Sequence, residues 1–287
     1  MEDSQTKIST FGEMSKSEFQ RFSDFIHHEA GIQLPPHKKT LLEGRLIKRM
    51  RALGIGSFSK YAEFIFSPQG QMSELPHMID AITTNKTEFF REPDHFSYLV
   101  DNVLPMLKRD RELGDNGRYY FWSAGCSTGE EPYTLAMVLS EFKNRNPIFD
   151  FRILATDICH AVLEKAKNGI YDSAKTAPIP MGMKREYLLR SKNPAKKVVR
   201  IAPEIRARVK FAWLNFMDGD FQIQQKVDVI FCRNVIIYFD KKDQEMLLSK
   251  FFNQLIPGGF LFLGHSETLT GINLPLNQVF PTVYRKK

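Results

Sequence analysis

Residues 121–131 read Phe121-Trp122-Ser123-Ala124-Gly125-Cys126-Ser127-Thr128-Gly129-Glu130-Glu131: an apolar strand, a glycine-bearing loop and the start of a helix. A strand that turns through glycines into a helix is the first crossover of a parallel α/β sheet, with a ligand expected where backbone comes close. The loop has no Gly-x-Gly-x-x-Gly spacing of the kind that seats a pyrophosphate on a helix N-terminus. Glu130 and Glu131 suit the helix dipole but repel phosphate, which points to a ligand that is cationic or neutral there. A sulfonium amino acid joined to adenosine meets that requirement.

Strand and helix signals alternate around this loop: a helix over Asp94–Lys108, then Tyr119–Ser123, Glu131–Phe142, Phe151–Thr156, His160–Lys167, Val209–Trp213, Val227–Phe231, Lys241–Leu255 and Phe260–Leu263. Alternation of this kind predicts a parallel sheet covered on both faces. The stretch Val279–Tyr284 follows without a helix and is expected to enter antiparallel at the edge. The lysine-rich segment Tyr171 to Ile205 interrupts the alternation; Lys197-Val198-Val199-Arg200-Ile201 reads as an exposed strand of an inserted subdomain. Upstream, Ser15 to Ile82 shows helical periodicity only, with Phe19, Phe22 and Ile26, then Leu42, Leu46, Met50 and Leu53, each on one stripe. The predicted organisation is a helical N-terminal domain over 1–83, a linker over 84–94 that contributes to the ligand site, and an α/β domain over 95–287 with the insertion at about 171–205.

A net charge of +7 permits an acidic partner without choosing one. Cys126, Cys159 and Cys232 are odd in number and widely spaced, which excludes a disulfide framework and a metal knuckle; no metal site is expected. The polar start Met1-Glu2-Asp3-Ser4-Gln5 and the absence of a long apolar run lead to an expected cytoplasmic location without membrane insertion.

Ligands of open parallel sheets bind beyond the carboxyl ends of the strands. Those ends carry Glu131, Asp157, Asn215-Phe216 and Arg233-Asn234. Any one of these has an alternative as a helix cap or turn residue; four at successive strand ends favour a site. The acid at the end of the second strand, Asp157, is the expected acceptor for a ribose diol.

Four segments carry a resemblance: Thr83-Thr84-Asn85-Lys86-Thr87-Glu88-Phe89-Phe90-Arg91, Gly129-Glu130-Glu131-Pro132-Tyr133, Phe231-Cys232-Arg233-Asn234-Val235-Ile236-Ile237-Tyr238-Phe239 and Gly264-His265-Ser266-Glu267. In order and spacing they resemble the CheR family, bacterial methyltransferases that use S-adenosylmethionine to esterify glutamates on chemoreceptor helices. The resemblance covers nearly the whole chain. It implies a Rossmann-like S-adenosylmethionine methyltransferase sheet with a small antiparallel β-subdomain, preceded by an all-α domain. It further implies that Asn85, Thr87 and Arg91 lie over the cofactor, that Glu131 meets its amino group and Asp157 its ribose, and that Asn215, Phe216, Arg233 and Asn234 complete the pocket. S-adenosylhomocysteine is the implied product.

A glutamate acceptor is ionised at neutral pH, so no general base is required. Arg91 is the candidate for holding the acceptor carboxylate and Tyr238 for positioning the reacting groups. Their alternatives are an ion pair with Glu88 or Glu92 for Arg91, and packing among Ile236, Ile237 and Phe239 for Tyr238. The helix Lys38–Leu53 carries Lys38, Arg45, Lys48 and Arg49 on a basic stripe. That stripe is either a solvated face or, as the resemblance implies, the surface that meets acidic chemoreceptor helices. The inserted subdomain has two readings as well: a strand-addition site for a receptor C-terminal peptide, or a cap on the sheet. Ser191-Lys192-Asn193-Pro194 stands where tethering members are expected to have a glycine-containing turn. A dinucleotide oxidoreductase is disfavoured by the loop, and a nucleic-acid methyltransferase by the lack of an Asn/Asp-Pro-Pro-Phe/Tyr motif and of interleaved surface aromatics.

Overall fold

The computed structural model describes residues 11–110 and 118–287, so the N-terminal Met1–Gln5 lies outside the described residues. Helical spacing of apolar residues produces α1 (Lys16–Ala30), α2 (Lys39–Leu53), α3 (Phe58–Ile65), α4 (Pro68–Ser73) and α5 (Leu75–Ile82). Ser15 opens α1 with a capping box: its hydroxyl accepts from Glu18 N and the Glu18 carboxylate accepts from Ser15 N. Phe22, Leu46, Tyr61, Ile65 and Met78 are wholly buried between the helices. A buried acid, Glu74, ties them together, accepting from Arg49 Nε and Nη2 at 2.8 and 2.7 Å and from the Tyr61 hydroxyl at 3.0 Å. Arg49, on the expected docking stripe, thus spends its guanidinium on Glu74 within its own domain.

The chain continues through α6 (Pro93–Tyr98), a π turn (Leu99–Val103) and α7 (Leu104–Asp110), then β1 (Arg118–Ala124), α8 (Glu130–Arg145), β2 (Asp150–Asp157) and α9 (His160–Asn168). The insertion supplies β3 (Ile170–Asp172), α10 (Met181–Tyr187), β4 (Leu188–Arg190), β5 (Val198–Ile201) and α11 (Pro203–Arg206). The main sheet then resumes with β6 (Val209–Trp213), β7 (Val227–Cys232), α12 (Lys241–Gln254), β8 (Leu255–Leu263), β9 (Leu276–Phe280) and β10 (Val283–Lys286). The seven-stranded order is β6-β2-β1-β7-β8-β10-β9, parallel except at β10 and β9. Phe121, Phe231 and Phe262 face one core with α8; Trp122, Ile230 and Leu261 face the other with Leu247, Leu248 and Phe251 of α12.

Three elements differ from expectation. The helix over Asp94–Lys108 is broken by the π turn just before Pro105, whose missing N–H removes the bond to the Asp101 carbonyl. Val279–Tyr284 is not one edge strand: Thr282, with φ 56°, turns the chain between β9 and β10, and only the second half pairs with β8. The strand Lys197–Ile201 is the centre of the small sheet β3-β5-β4, with Val199 and Ile201 buried against the main core.

The helical domain also completes an element of the sheet domain. The first residue of α9 follows Cys159, which makes no side-chain cap bond, and Asp80 of α5 caps the helix instead, accepting from His160 N at 2.8 Å and Ala161 N at 3.0 Å. Removing a cap of this kind costs about 1 kcal/mol. Asp80→Ala is expected to lower the unfolding free energy in urea by about that amount; an unchanged midpoint contradicts the cross-domain cap.

Candidate active site

One cavity lies beyond the carboxyl ends of β1, β2, β6 and β7, and all nine residues expected to meet the cofactor line it: Asn85, Thr87, Arg91, Glu131, Asp157, Asn215, Phe216, Arg233 and Asn234. Its outer wall is the helical domain, through Ile32, Leu34, Lys38, Leu41 and Arg45, with Tyr238 beside them. Gly129 makes the loop turn possible: its φ is 94°, and a Cβ there would lie 2.9 Å from the Cβ of Ala166.

Asp157 ends β2 with its carboxylate buried. Oδ2 accepts from Ser127 N at 2.7 Å and Oδ1 from Cys159 N at 2.9 Å, so the acid pins the glycine loop while facing the cavity. Burial pushes its carboxyl above the usual range, with the backbone amides of Cys159 and Ser127 working against that rise. The Ser127 hydroxyl donates to the Asn85 carbonyl at 3.0 Å and so holds the linker over the loop.

Glu131 accepts from the Ser123 hydroxyl at 2.7 Å and from Arg233 Nε at 2.7 Å. Arg233 in turn donates to the Arg91 carbonyl at 2.7 Å, lies 3.5 Å from Glu92, and is packed over the rings of Phe96 and Phe231 at 5.1 and 5.6 Å. These contacts hold Arg233 against Glu131 in the cavity wall. His95, wholly buried, accepts at Nδ1 from Arg233 Nη1 at 3.3 Å; burial first and the Arg233 charge second bring its pKa down to about 4. Neutral His95 is thus the form built into this network. Glu130, unlike Glu131, points away from the cavity toward the insertion, with Thr128 Oγ1 at 2.5 Å and Lys175 Nζ at 3.7 Å.

Arg91 donates to the Lys86 carbonyl at 3.1 Å rather than pairing with Glu88 or Glu92. Tyr238, in a 3₁₀ turn (Ile236–Tyr238), has Lys38 Nζ 5.8 Å above its ring. Asn215 bridges the domains, donating to the Glu29 carbonyl at 2.6 Å, and Phe216 packs against Trp122 and Phe251. Arg45 donates to the carbonyls of Ile82 and Thr83 and, at 3.0 Å, to the Thr84 hydroxyl. It holds the linker to α2, from its place on the basic stripe. Lys48 alone of the four basic residues lies on the exposed surface away from the cavity and makes no ion pair among the described residues.

The cysteines are buried and free of disulfides; burial pushes the Cys159 thiol up to about 11 and those of Cys126 and Cys232 well above the usual thiol range, which disfavours the thiolate at neutral pH. Two groups bring three metal-type donors together: Glu92 with His95 and His265, and His27 with Asp240 and Asp243. Arg233 already occupies the first as its cation, and in the second a hydrogen bond between His27 Nε2 and Asp243 Oδ2 at 2.9 Å joins α1 to α12. Glu92, His95, Ser123 and Glu267 were not among the expected site residues. Only Glu267 had a local signal, its place in the Gly264–Glu267 segment.

Residues 85–285 match the family model described as CheR methyltransferase, SAM binding domain, and residues 17–83 match CheR methyltransferase, all-alpha domain. The chain is 38% identical over 287 residues to the chemotaxis protein methyltransferase of Borreliella burgdorferi, covering 100% of both chains. It is 37% identical over 271 residues to that of Escherichia coli strain K12, covering 94% of this chain and 91% of the relative. Among solved structures, the N-methyltransferase NodS from Bradyrhizobium japonicum in complex with S-adenosyl-L-homocysteine is similar at a TM-score of 0.32 and 14% identity, over 60% of each chain.

Proposed function

The chain belongs to the CheR methyltransferase family, and on that premise we propose that it methylates glutamate side chains on the cytoplasmic helices of chemoreceptors, forming methyl esters and S-adenosylhomocysteine. The observation that carries this reading is the pair of carboxylates, Glu131 and Asp157, lining one cavity together with Asn234, whose amide oxygen is buried and has no hydrogen-bond partner among the described residues. A carboxylate for an ammonium, a carboxylate for a cis-diol and an amide on the same wall for a purine suit S-adenosylmethionine. When bound, the cofactor supplies an electrophilic methyl group with a neutral thioether as leaving group.

The protein's own part is placement. The acceptor carboxylate arrives ionised, so the site has to desolvate it and hold one oxygen in line with the methyl carbon. In this reading Arg91 makes a charge-assisted hydrogen bond to the acceptor's other oxygen, and Tyr238 fixes its approach at the mouth; both line the cavity. Lys38 and Arg45 add positive charge to the cavity wall formed by the helical domain. Mass spectrometry of receptor peptides after incubation with cofactor tests the reading: a gain of one methylene on specific glutamates supports it, and modification confined to amines or thiols defeats it.

Exposed Lys48 belongs to the docking proposal. Lys48→Glu is expected to lower kcat/KM for receptor by about threefold to tenfold at low salt, and less at high salt, with cofactor affinity unchanged. A salt-independent rate equal to that of the parent returns this face to a solvated one. The insertion offers β4 as an outer strand, half-buried to exposed, which supports peptide addition at that edge as the second contact with the receptor.

A further inference from the structure

The segment after β8 folds back on the segment after β7, and the two are joined by one carboxylate. Glu267, only 4% exposed, accepts four backbone amides. Gly264 N and Asn234 N reach Oε2 at 2.7 and 2.8 Å, and Val235 N and Ile237 N reach Oε1 at 2.8 and 3.4 Å. The loop so held carries Asn234 in the left-handed region, φ 59°, a conformation that persists in a residue with a side chain only when its surroundings enforce it. Gly264 is a second device at the same place: a Cβ there would lie 2.6 Å from Asn234 Nδ2 and 2.8 Å from Asn234 N. Both devices act on the residue whose amide oxygen is buried, unpartnered among the described residues and on the cavity wall.

We infer that Glu267 is a positioning residue for methyl transfer: its carboxylate fixes the Arg233–Tyr238 loop so that the amide of Asn234 is presented to the cofactor. The inference rests on the proposed placement of the cofactor against Asn234. Glutamine at this position keeps the shape but turns an NH2 toward two of the four backbone donors in either orientation, so the loop has to give.

The test is a double-mutant cycle on the full chain, titrated calorimetrically with S-adenosylhomocysteine, with thermal unfolding recorded for each protein. Glu267→Gln and Asn234→Ala are each expected to weaken binding about tenfold. Because Glu267 acts through Asn234, adding Glu267→Gln to Asn234→Ala is expected to weaken binding by less than about a further twofold. Parental affinity in Glu267→Gln, or losses that multiply in the double variant, overturns the inference; multiplied losses accompanied by a lowered melting temperature mark a purely structural staple. Parental affinity in Asn234→Ala with loss in Glu267→Gln shows instead that the cofactor placement was wrong, and overturns the inference with it. If Glu267→Gln does not fold, Gly264→Ala replaces it in the same cycle, with the same outcomes read the same way.

Discussion

Arg233→Ala is expected to destabilise the protein by about 3–5 kcal/mol, because it leaves buried acid groups without their cation. The guanidinium faces Glu131 at 2.7 Å and Glu92 at 3.5 Å, with a side-chain exposure of 2%. The loss also removes the guanidinium that packs against the stacked pair of Phe96 and Phe231. For a chain of this size the melting temperature should fall by roughly 10 °C. Lysine should not rescue it, since one ammonium cannot reproduce a planar fork that meets a carboxylate, a carbonyl and a histidine at once. Cofactor affinity should fall with stability, because Glu131 loses the contact that aims it. A drop of less than about 3 °C on thermal unfolding contradicts the view that this ion pair anchors the cavity wall.

Asp157→Asn is expected to weaken S-adenosylmethionine binding about a hundredfold while lowering stability far less than Arg233→Ala does. The carboxylate already receives Ser127 N and Cys159 N, one on each oxygen, and its remaining lone pairs face the cavity. An asparagine there sets an NH2 against one of those backbone donors and offers a diol a single acceptor. Alanine is the less informative change, because it also frees the glycine loop that the carboxylate pins. Burial raises the Asp157 pKa, and a ribose diol is accepted best by the ionised form. Parental affinity should therefore be full above that raised value and decline as pH falls through it, and the asparagine variant should lack this decline. Calorimetric titration at two pH values checks both statements; affinity within about threefold of the parent removes Asp157 from the ribose role.

The sheet was legible in the sequence because strand ends are local: an apolar run that stops at Asp157 or at Cys232 reports its own carboxyl end, and the topology then gathers those ends. What residues meet inside the cavity was not legible to the same degree. Glu131 and Arg233 are 102 positions apart, and no spacing rule shows that one spends its charge on the other. Arg49 and Arg45 looked like members of a basic stripe because helical periodicity places them on one face; it says nothing of Glu74 or of the linker carbonyls that receive them. Thr282 splits β9 from β10 through a positive φ that the neighbouring apolar residues conceal. Pro105, by contrast, was a visible reason for the π turn.

Under the proposed function, this cavity delivers a methyl group to a glutamate carboxylate. An assay of the reaction incubates the purified 287-residue chain with receptor-bearing membranes and S-adenosylmethionine labelled in its methyl group, then treats the washed membranes with alkali and counts volatile methanol. Glutamyl methyl esters hydrolyse under those conditions, so the account predicts labelled methanol from the parent protein and a near-complete loss with Asp157→Asn at subsaturating cofactor. Label that stays on the receptor after alkali, or methanol release unaffected by Asp157→Asn, contradicts it.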